Sequence, residues 1–107
     1  MVNRNTKKNV NKVLFEIEKF FFATSNNYSN IEILERWNTY TDIIGQLKHL
    51  NKQHYLFEIY YRILIGDNMN QIFIDIIDTD SEIYSLLFHY TYILEEFQDF
   101  DEIIIFV

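Results

Sequence analysis

The chain has 107 residues and a formal net charge of −7, and this length predicts a single domain over 1–107. Hydrophobic residues make up 49% of the sequence and aromatic residues 18%, which excludes an intrinsically disordered chain. It contains no cysteine, which excludes disulfide bonds and zinc sites built from thiolates. The absence of cysteine fits the reducing cytoplasm, where we expect the protein to be. No uncharged apolar run approaches the roughly 18 residues that a membrane span needs, so we expect no membrane partner.

The charges are divided unevenly along the chain. Residues 1–52 carry eight basic and five acidic side chains, whereas residues 53–107 carry eleven acidic residues and one basic residue, Arg62. Because an acidic surface repels phosphate groups, we expect no direct binding of nucleic acid.

The N-terminal part predicts two helices. The first covers roughly residues 6–24, and the second follows the loop 25–30 and runs to about Leu50. Ser29 stands three residues before Glu32, which is the spacing of a capping box at the start of the second helix. Apolar residues recur at helical spacing in both segments. They are Val10, Val13, Leu14, Ile17, Phe20 and Phe21 in the first helix and Ile33, Trp37, Tyr40, Ile44 and Leu47 in the second. We therefore expect Trp37 to be buried.

The stretch YLFEIYYRILI, residues 55–65, fits two structures. Phe57, Ile59 and Tyr61 stand on alternate positions, as in a strand, whereas His54, Glu58 and Arg62 form a polar stripe at helical spacing. Gly66, Asp67 and Asn68 are typical of a hairpin turn, and equally of a helix C-cap followed by the N-cap of a new helix.

The segment that follows favours helices. Its polar residues recur at spacings of three and four and its apolar residues fill the opposite face. The polar residues are Asn68, Gln71, Asp75, Asp78 and Glu82, and the apolar ones are Met69, Ile72, Phe73, Ile76 and Ile77. Thr79 and Glu82 have capping-box spacing and predict a further, long helix, with Ser85, His89, Tyr92, Glu96 and Asp99 on its polar face.

We therefore predict an all-α fold, a single compact domain of about five helices with an apolar C-terminal tail over 103–107. The tail is expected to pack against the core or a second copy, because exposed apolar residues invite aggregation. The alternative is an α+β fold in which the two N-terminal helices precede an antiparallel meander over 53–107. The isoleucine, tyrosine and phenylalanine content of this half, which has no alanine, keeps the alternative open.

No sequence motif encodes a reaction. Walker, GxGxxG, HExxH and GxSxG patterns do not occur. His54 with Glu58, and Ser85 with His89, are spaced one helical turn apart, but such pairs need further ligands or an oriented third group. Residues 78–82 have acidic residues at the spacing that begins an EF-hand loop. The match to this calcium-binding motif fails because Ile83 stands where the motif requires glycine. We therefore predict a protein that is not an enzyme, with no catalytic residue, metal or cofactor.

The segment 95–102 carries five carboxylates and two phenylalanines. Acidic residues near a helix C-terminus face the negative end of the helix dipole, and no lysine or arginine follows Arg62 to relieve the repulsion. This arrangement favours a surface for a basic partner. The predicted partner-binding residues are Tyr92, Glu95, Glu96, Asp99, Phe100 and Glu102. If 95–102 is helical, Glu95, Asp99 and Glu102 form one stripe.

These observations predict a small acidic, non-enzymatic binding protein that occludes the basic cleft of a partner protein. The class that fits is an inhibitor or immunity protein for a nuclease, either a toxin or a phage-defence nuclease. The alternative is a structural helical protein that self-associates, for instance as a homodimer, through apolar helix faces. Phe20, Phe21, Phe22 and the tail 103–107 would then form the seam.

Overall fold

The computed structural model describes the backbone of residues 2–97 and the side chains from residue 9 onward. Within this part the chain forms six α-helices and no strand. They are α1 (Val2–Ala23), α2 (Asn30–His49), α3 (His54–Leu64), α4 (Met69–Thr79), α5 (Ser81–Leu87) and α6 (His89–Glu96). The all-α prediction is confirmed, and the meander alternative is not supported. The apolar tail 103–107 lies outside the described residues.

The capping box predicted at the start of α2 is present. Oγ of Ser29 accepts from the backbone amide of Glu32 at 3.2 Å, and Oε2 of Glu32 accepts from the amide of Ser29 at 3.1 Å. Both amides would otherwise lack a partner at the first turn. Local sequence therefore fixes where α2 begins.

The segment that fitted either a strand or a helix forms α3. Its buried residues are Leu56, Ile59 and Ile63, at helical spacings of three and four, while Phe57 and Tyr61 are exposed. The turn that follows is the predicted pair of caps. Gly66 has φ +93, a left-handed conformation that glycine adopts without a side-chain clash. Asn68 then caps α4 by accepting from the amide of Gln71 at 3.0 Å.

The last predicted helix is divided into two shorter helices. Asp80, and not Thr79, caps α5, and it accepts from the amide of Glu82 at 2.9 Å. Thr79 still belongs to α4, where its hydroxyl donates to the carbonyl of Asp75 at 2.7 Å. The predicted Thr79–Glu82 capping box is therefore wrong, because Asp80 has the extended backbone that a cap needs. Phe88 alone separates α5 from α6.

All six helices contribute to one apolar core. α1 packs against α3, α3 against α4, and α4 against α5 and α6, while α6 also touches α2. The buried apolar side chains are Val10, Val13, Ile17, Phe21, Tyr40, Ile43, Ile44, Leu47, Leu56, Ile59, Ile63, Ile72, Phe73, Ile76, Ile77, Ile83, Leu87 and Leu94. Burial of such side chains is the main stabilising contribution to the fold.

Aromatic rings connect α1, α2 and α4 within this core. Tyr40 stacks on Phe73 with ring centroids 4.8 Å apart and meets the edge of Phe21 at 5.6 Å. Trp37 stacks on Phe21 at 5.3 Å and also touches Phe22. It is only half-buried, in contrast to the prediction, because α2 turns Arg36 and Tyr40 toward the core and leaves Trp37 at its edge.

Two cationic side chains hold neighbouring helices together. Arg62 of α3 donates from Nε to Asp67 at 2.8 Å and from Nη1 to Asp75 of α4 at 2.7 Å. Lys52, between α2 and α3, pairs through Nζ with Asp80 at 2.8 Å and lies 3.6 Å from Glu82. Both cations are thus engaged inside the molecule and do not neutralise the carboxylates further along the chain.

Candidate partner-binding surface

Helices α5 and α6 present one face to the core and the opposite face to the outside. Ile83, Leu87 and Leu94 are buried and anchor the two helices. Phe88, at the junction, keeps a helical backbone with φ −58 and ψ −27. Exposed residues of α5 and α6 recur at the spacing of a helical turn in the sequence on both sides of this junction.

The outer side of these two helices carries three exposed aromatic rings. Tyr84, Phe88 and Tyr92 are 51%, 42% and 64% exposed, and each stands four residues after the one before. The rings of Tyr84 and Phe88 are 5.9 Å apart. Together with Glu95 and Glu96, one turn beyond Tyr92, these residues form what we call the α5–α6 face. Exposed aromatic side chains of this kind supply the buried anchors of protein interfaces.

Glu95 and Glu96 occupy the last turn of α6 and are exposed. Neither forms an ion pair with any residue in the described part of the chain. Their carboxylates stand at the negative end of the helix dipole, an arrangement that costs some tenths of a kcal/mol each. A basic group supplied from outside would relieve this cost.

The end of α6 is attached firmly to the core. Nδ2 of Asn70 donates to the carbonyl oxygen of Phe97 at 3.1 Å, and the hydroxyl of Tyr40 donates to Oδ1 of the same asparagine. The guanidinium carbon of Arg36, which is itself buried, lies 4.8 Å from the centre of the Phe97 ring and 4.2 Å from that of Tyr28. These contacts attach the end of α6 to α2 and α4.

Three of the predicted partner-binding residues lie together on this face, namely Tyr92, Glu95 and Glu96. The other three, Asp99, Phe100 and Glu102, lie outside the described residues. The predicted stripe of Glu95, Asp99 and Glu102 required a helix over 95–102. α6 ends at Glu96, and the stripe stays a prediction because Asp99 and Glu102 lie outside the described residues. Phe97 has an extended backbone, with φ −75 and ψ 99.

Sequence reasoning missed two exposed aromatic residues of the face, although a signal for them was present. Tyr84 and Phe88 stand eight and four residues before Tyr92, on the same side of a helix. It also missed the buried polar residues Arg36 and Asn70. Arg36 precedes Tyr40 by one turn and shares its face of α2, so the burial of Arg36 could have been predicted from the sequence. The contact between Arg36 and Phe97 could not.

The seam proposed for self-association is not formed as predicted. Phe21 is buried in the core and Phe20 is partly buried against it, while Phe22 is 46% exposed. Three consecutive residues of a helix point in three directions, so they cannot act as one surface. Only Phe22 is accessible to a partner.

The three histidines lie on the surface of the protein. His49, His54 and His89 are all exposed. The rings of His54 and His89 lie 4.2 and 4.1 Å from those of the adjacent Tyr55 and Tyr90, tilted by 39° in both pairs. No group of three metal-ligating side chains occurs among the described residues. Within the same part of the chain, no helix has the length and apolar character to cross a membrane.

Comparison with known proteins gave no match to a protein family, to a curated protein or to a solved structure.

Proposed function

We propose that the protein is a small acidic, non-enzymatic binding protein whose α5–α6 face docks on a basic partner protein. One observation carries the proposal: three exposed aromatic rings stand beside carboxylates that have no ion pair within the described residues. No lysine or arginine occurs anywhere after Arg62. The α5–α6 face thus carries both aromatic rings that a partner can bury and uncompensated negative charge.

The two kinds of side chain have different roles in binding. The carboxylates attract a basic partner over a distance, and such steering raises association rates to about 10⁸–10⁹ M⁻¹s⁻¹ at low salt. The aromatic rings then become buried in the contact and slow dissociation. Charge therefore governs the on-rate and Tyr92 the off-rate.

A nuclease is the partner class that this chemistry favours. A nuclease cleft is lined with basic groups that bind phosphates, and carboxylates on a rigid helix end can take the place of those phosphates. The protein would act by occlusion, as the inhibitor or immunity protein of a toxin or phage-defence nuclease. Asp99, Phe100 and Glu102 extend the proposed contact in sequence, and the cysteine-free composition fits a cytoplasmic setting.

The proposal is tested by inhibition of purified nucleases, half of them with pI above about 9 and half acidic. Cleavage of a fluorescent oligonucleotide is measured against increasing protein concentration. We expect inhibition within the basic set only. Tyr92→Ala should raise the inhibition constant about 30-fold, equivalent to about 2 kcal/mol. Tyr61→Ala on α3 is the matched control, because Tyr61 is 62% exposed and Tyr92 is 64% exposed.

Charge is tested separately by converting Glu95 and Glu96 to glutamine. This change should slow association and flatten its salt dependence without changing the off-rate. Asp78→Asn on α4, also exposed, should leave association unchanged. Equal effects of the Tyr61 and Tyr92 changes, or no inhibition of any basic nuclease, would overturn the proposal.

The alternative, a structural protein that self-associates through apolar helix faces, has support of its own. Phe15 and Phe22 of α1 are 59% and 46% exposed and lie on the outer side of that helix.

A further inference from the structure

The outer side of α1 combines cationic and aromatic residues. Lys12, Phe15, Lys19 and Phe22 recur at spacings of three, four and three, and all four are exposed. They lie opposite the buried residues of the same helix, among them Ile17. We call these four residues the α1 stripe. The helix is therefore amphipathic: its inner face is apolar and buried, and its outer face carries cations and aromatic rings at regular helical spacing.

The cations of the α1 stripe stay available for an external partner. Nζ of Lys19 lies 5.6 Å above the ring of Phe15 and 3.7 Å from Glu16, and exposed pairs of this kind contribute little. Lys12 has no ion pair within the described residues. The sequence places Lys8 and Arg4 at preceding steps of four.

The α1 stripe and the α5–α6 face match in charge and in order. Along α1 the cation Lys12 comes first, and the second cation, Lys19, stands between the rings of Phe15 and Phe22. Along α5 and α6 the rings of Tyr84 to Tyr92 come first and the carboxylates follow. When the helices run antiparallel, positive charge meets negative charge and rings meet rings. Phe15 and Phe22 are seven residues apart within one helix and so span about 10 Å, and Tyr84 and Tyr92 are eight residues apart in the sequence.

The two surfaces cannot satisfy each other within one molecule. Each lies on the outer side of a helix whose inner side is buried in the common core. A contact between them therefore requires a second copy of the chain. Such a contact joins two different patches. It closes as a two-fold dimer when both patches of each copy are engaged at once, and otherwise it generates larger rings or open chains of molecules.

We infer that the α1 stripe of one copy docks antiparallel on the α5–α6 face of a second copy. Lys12 and Lys19 lie against the carboxylates and rings of that face, and the phenylalanines cover its tyrosines. An anionic lipid surface is the other chemistry that a basic aromatic helix fits. The acidic residues that dominate 53–107 are repelled by such a surface, whereas they complement the α1 stripe.

Self-association and the proposed binding of a basic partner have only the α5–α6 face in common. A basic partner and a second copy would compete for that face. Substitutions in the α1 stripe therefore distinguish self-association from partner binding, because they should abolish self-association and leave the binding of a basic partner intact.

The test is sedimentation velocity of the full-length protein at increasing concentrations and two salt concentrations. At low salt the weight-average mass should rise above the 13.1 kDa of one chain, and added salt should lower it. Phe15→Asp and Tyr92→Asp should each give a monomer, because each spoils one side of the contact. Tyr61→Asp on α3 is the matched control and should associate like the original protein. Circular dichroism confirms that each variant is folded, and Phe15→Ser replaces Phe15→Asp if folding fails.

Mixing the two monomeric variants decides the geometry. The Tyr92→Asp protein keeps an intact α1 stripe and the Phe15→Asp protein keeps an intact α5–α6 face, so an equimolar mixture should form a 1:1 complex of about twice 13.1 kDa that grows no further. A mixture that stays monomeric overturns the inference. Association of the Tyr92→Asp protein with itself does so as well, since it would mean contact between two α1 helices.

Binding to a lipid surface is tested by co-flotation with anionic vesicles that contain phosphatidylserine. We expect no co-flotation of the protein with them. A monomeric protein that floats with these vesicles, and loses that ability with Phe15→Asp, would replace the second copy by a lipid surface and overturn the inference.

Discussion

Nδ2 of Asn70 donates a hydrogen bond to the carbonyl oxygen of Phe97, 3.1 Å away, and joins the first turn of α4 to the end of α6. The same side chain accepts from the hydroxyl of Tyr40 on α2. Asn70 is buried, so each of its polar atoms needs a partner inside the protein. One asparagine thus satisfies polar groups of two other segments.

Replacement of Asn70 by alanine should lower the free energy of unfolding by about 1–3 kcal/mol, because the Tyr40 hydroxyl and the Phe97 carbonyl lose their partner. Urea unfolding followed by circular dichroism measures the change. Gln71→Ala is the control in the next position, where the side chain is exposed and bonds only to Asp75, and it should cost less than about 0.5 kcal/mol. Equal midpoints for the two variants would contradict the network.

Ile76 tests which face of α4 is buried. It is 1% exposed, and its replacement by alanine should destabilise the protein by about 2–5 kcal/mol, through lost burial and the cavity left behind. Leu86 of α5 is 52% exposed, and Leu86→Ala should have an effect below about 0.5 kcal/mol. Thermal or urea unfolding of both variants gives the comparison, and a small loss at Ile76 would mean that α4 packs in another orientation.

The two glycines should respond to alanine in opposite directions. Gly66 has φ +93, which strains any residue with a side chain, so Gly66→Ala should destabilise by about 1 kcal/mol. Gly45 lies within α2, and a methyl group added there meets nothing within 4 Å. Gly45→Ala should therefore stabilise by about 0.5–1 kcal/mol, because alanine favours a helix. Changes of the same sign in the two midpoints would contradict this assignment.

The ion pair between Lys52 and Asp80 makes stability depend on pH. The hydrogen bond from Lys52, followed by that from the amide of Glu82, holds the pKa of Asp80 below its ordinary value of 3.8. The hydrogen bond to Asp80 raises the pKa of Lys52 above 10.5. The Asp80 contribution is complete above pH 3.8 and is lost as the pH falls through the folded pKa. The Lys52 contribution is complete below pH 10.5 and is lost as the pH rises through the folded pKa.

The measurement is the free energy of unfolding between pH 2 and 7. Lys52→Met should lower stability at pH 7 and make its decline toward pH 2 less steep than in the original protein. Lys48→Met is the control, because Lys48 is exposed and forms no ion pair with any described residue. It should keep the original slope. An unchanged slope with Lys52→Met would show that other carboxylates dominate the acid transition.

Local features of the fold were predictable from sequence because they depend on short spacings. The Ser29–Glu32 capping box needs two residues three apart, and the caps around Gly66 need one glycine followed by an asparagine. α3 was ambiguous because its exposed side also carries large apolar residues, such as Tyr61 and Leu64. Only the packed structure shows that burial follows Leu56, Ile59 and Ile63.

Features that depend on tertiary packing were not predictable. The helical spacing of Tyr84, Phe88 and Tyr92 continues without a sign of the division at Phe88. The bond from Asn70 to Phe97 joins residues 27 positions apart, and no local pattern encodes such a pairing. Exposure of Tyr92, Glu95 and Glu96 was predictable because these residues lie opposite the apolar positions of their helix.

The attachment of Phe97 to Asn70 has a consequence for hydrogen exchange. Helix ends usually fray, and their amides exchange with solvent at little free-energy cost. In this protein the last turn of α6 is tied by Phe97 to buried residues of α2 and α4, so it cannot open without breaking polar contacts in the interior. The amide of Leu94 should therefore exchange only through global unfolding, with the same dependence on denaturant as amides in the middle of α4. The end of α6 then belongs to the most slowly opening cooperative unit of the chain.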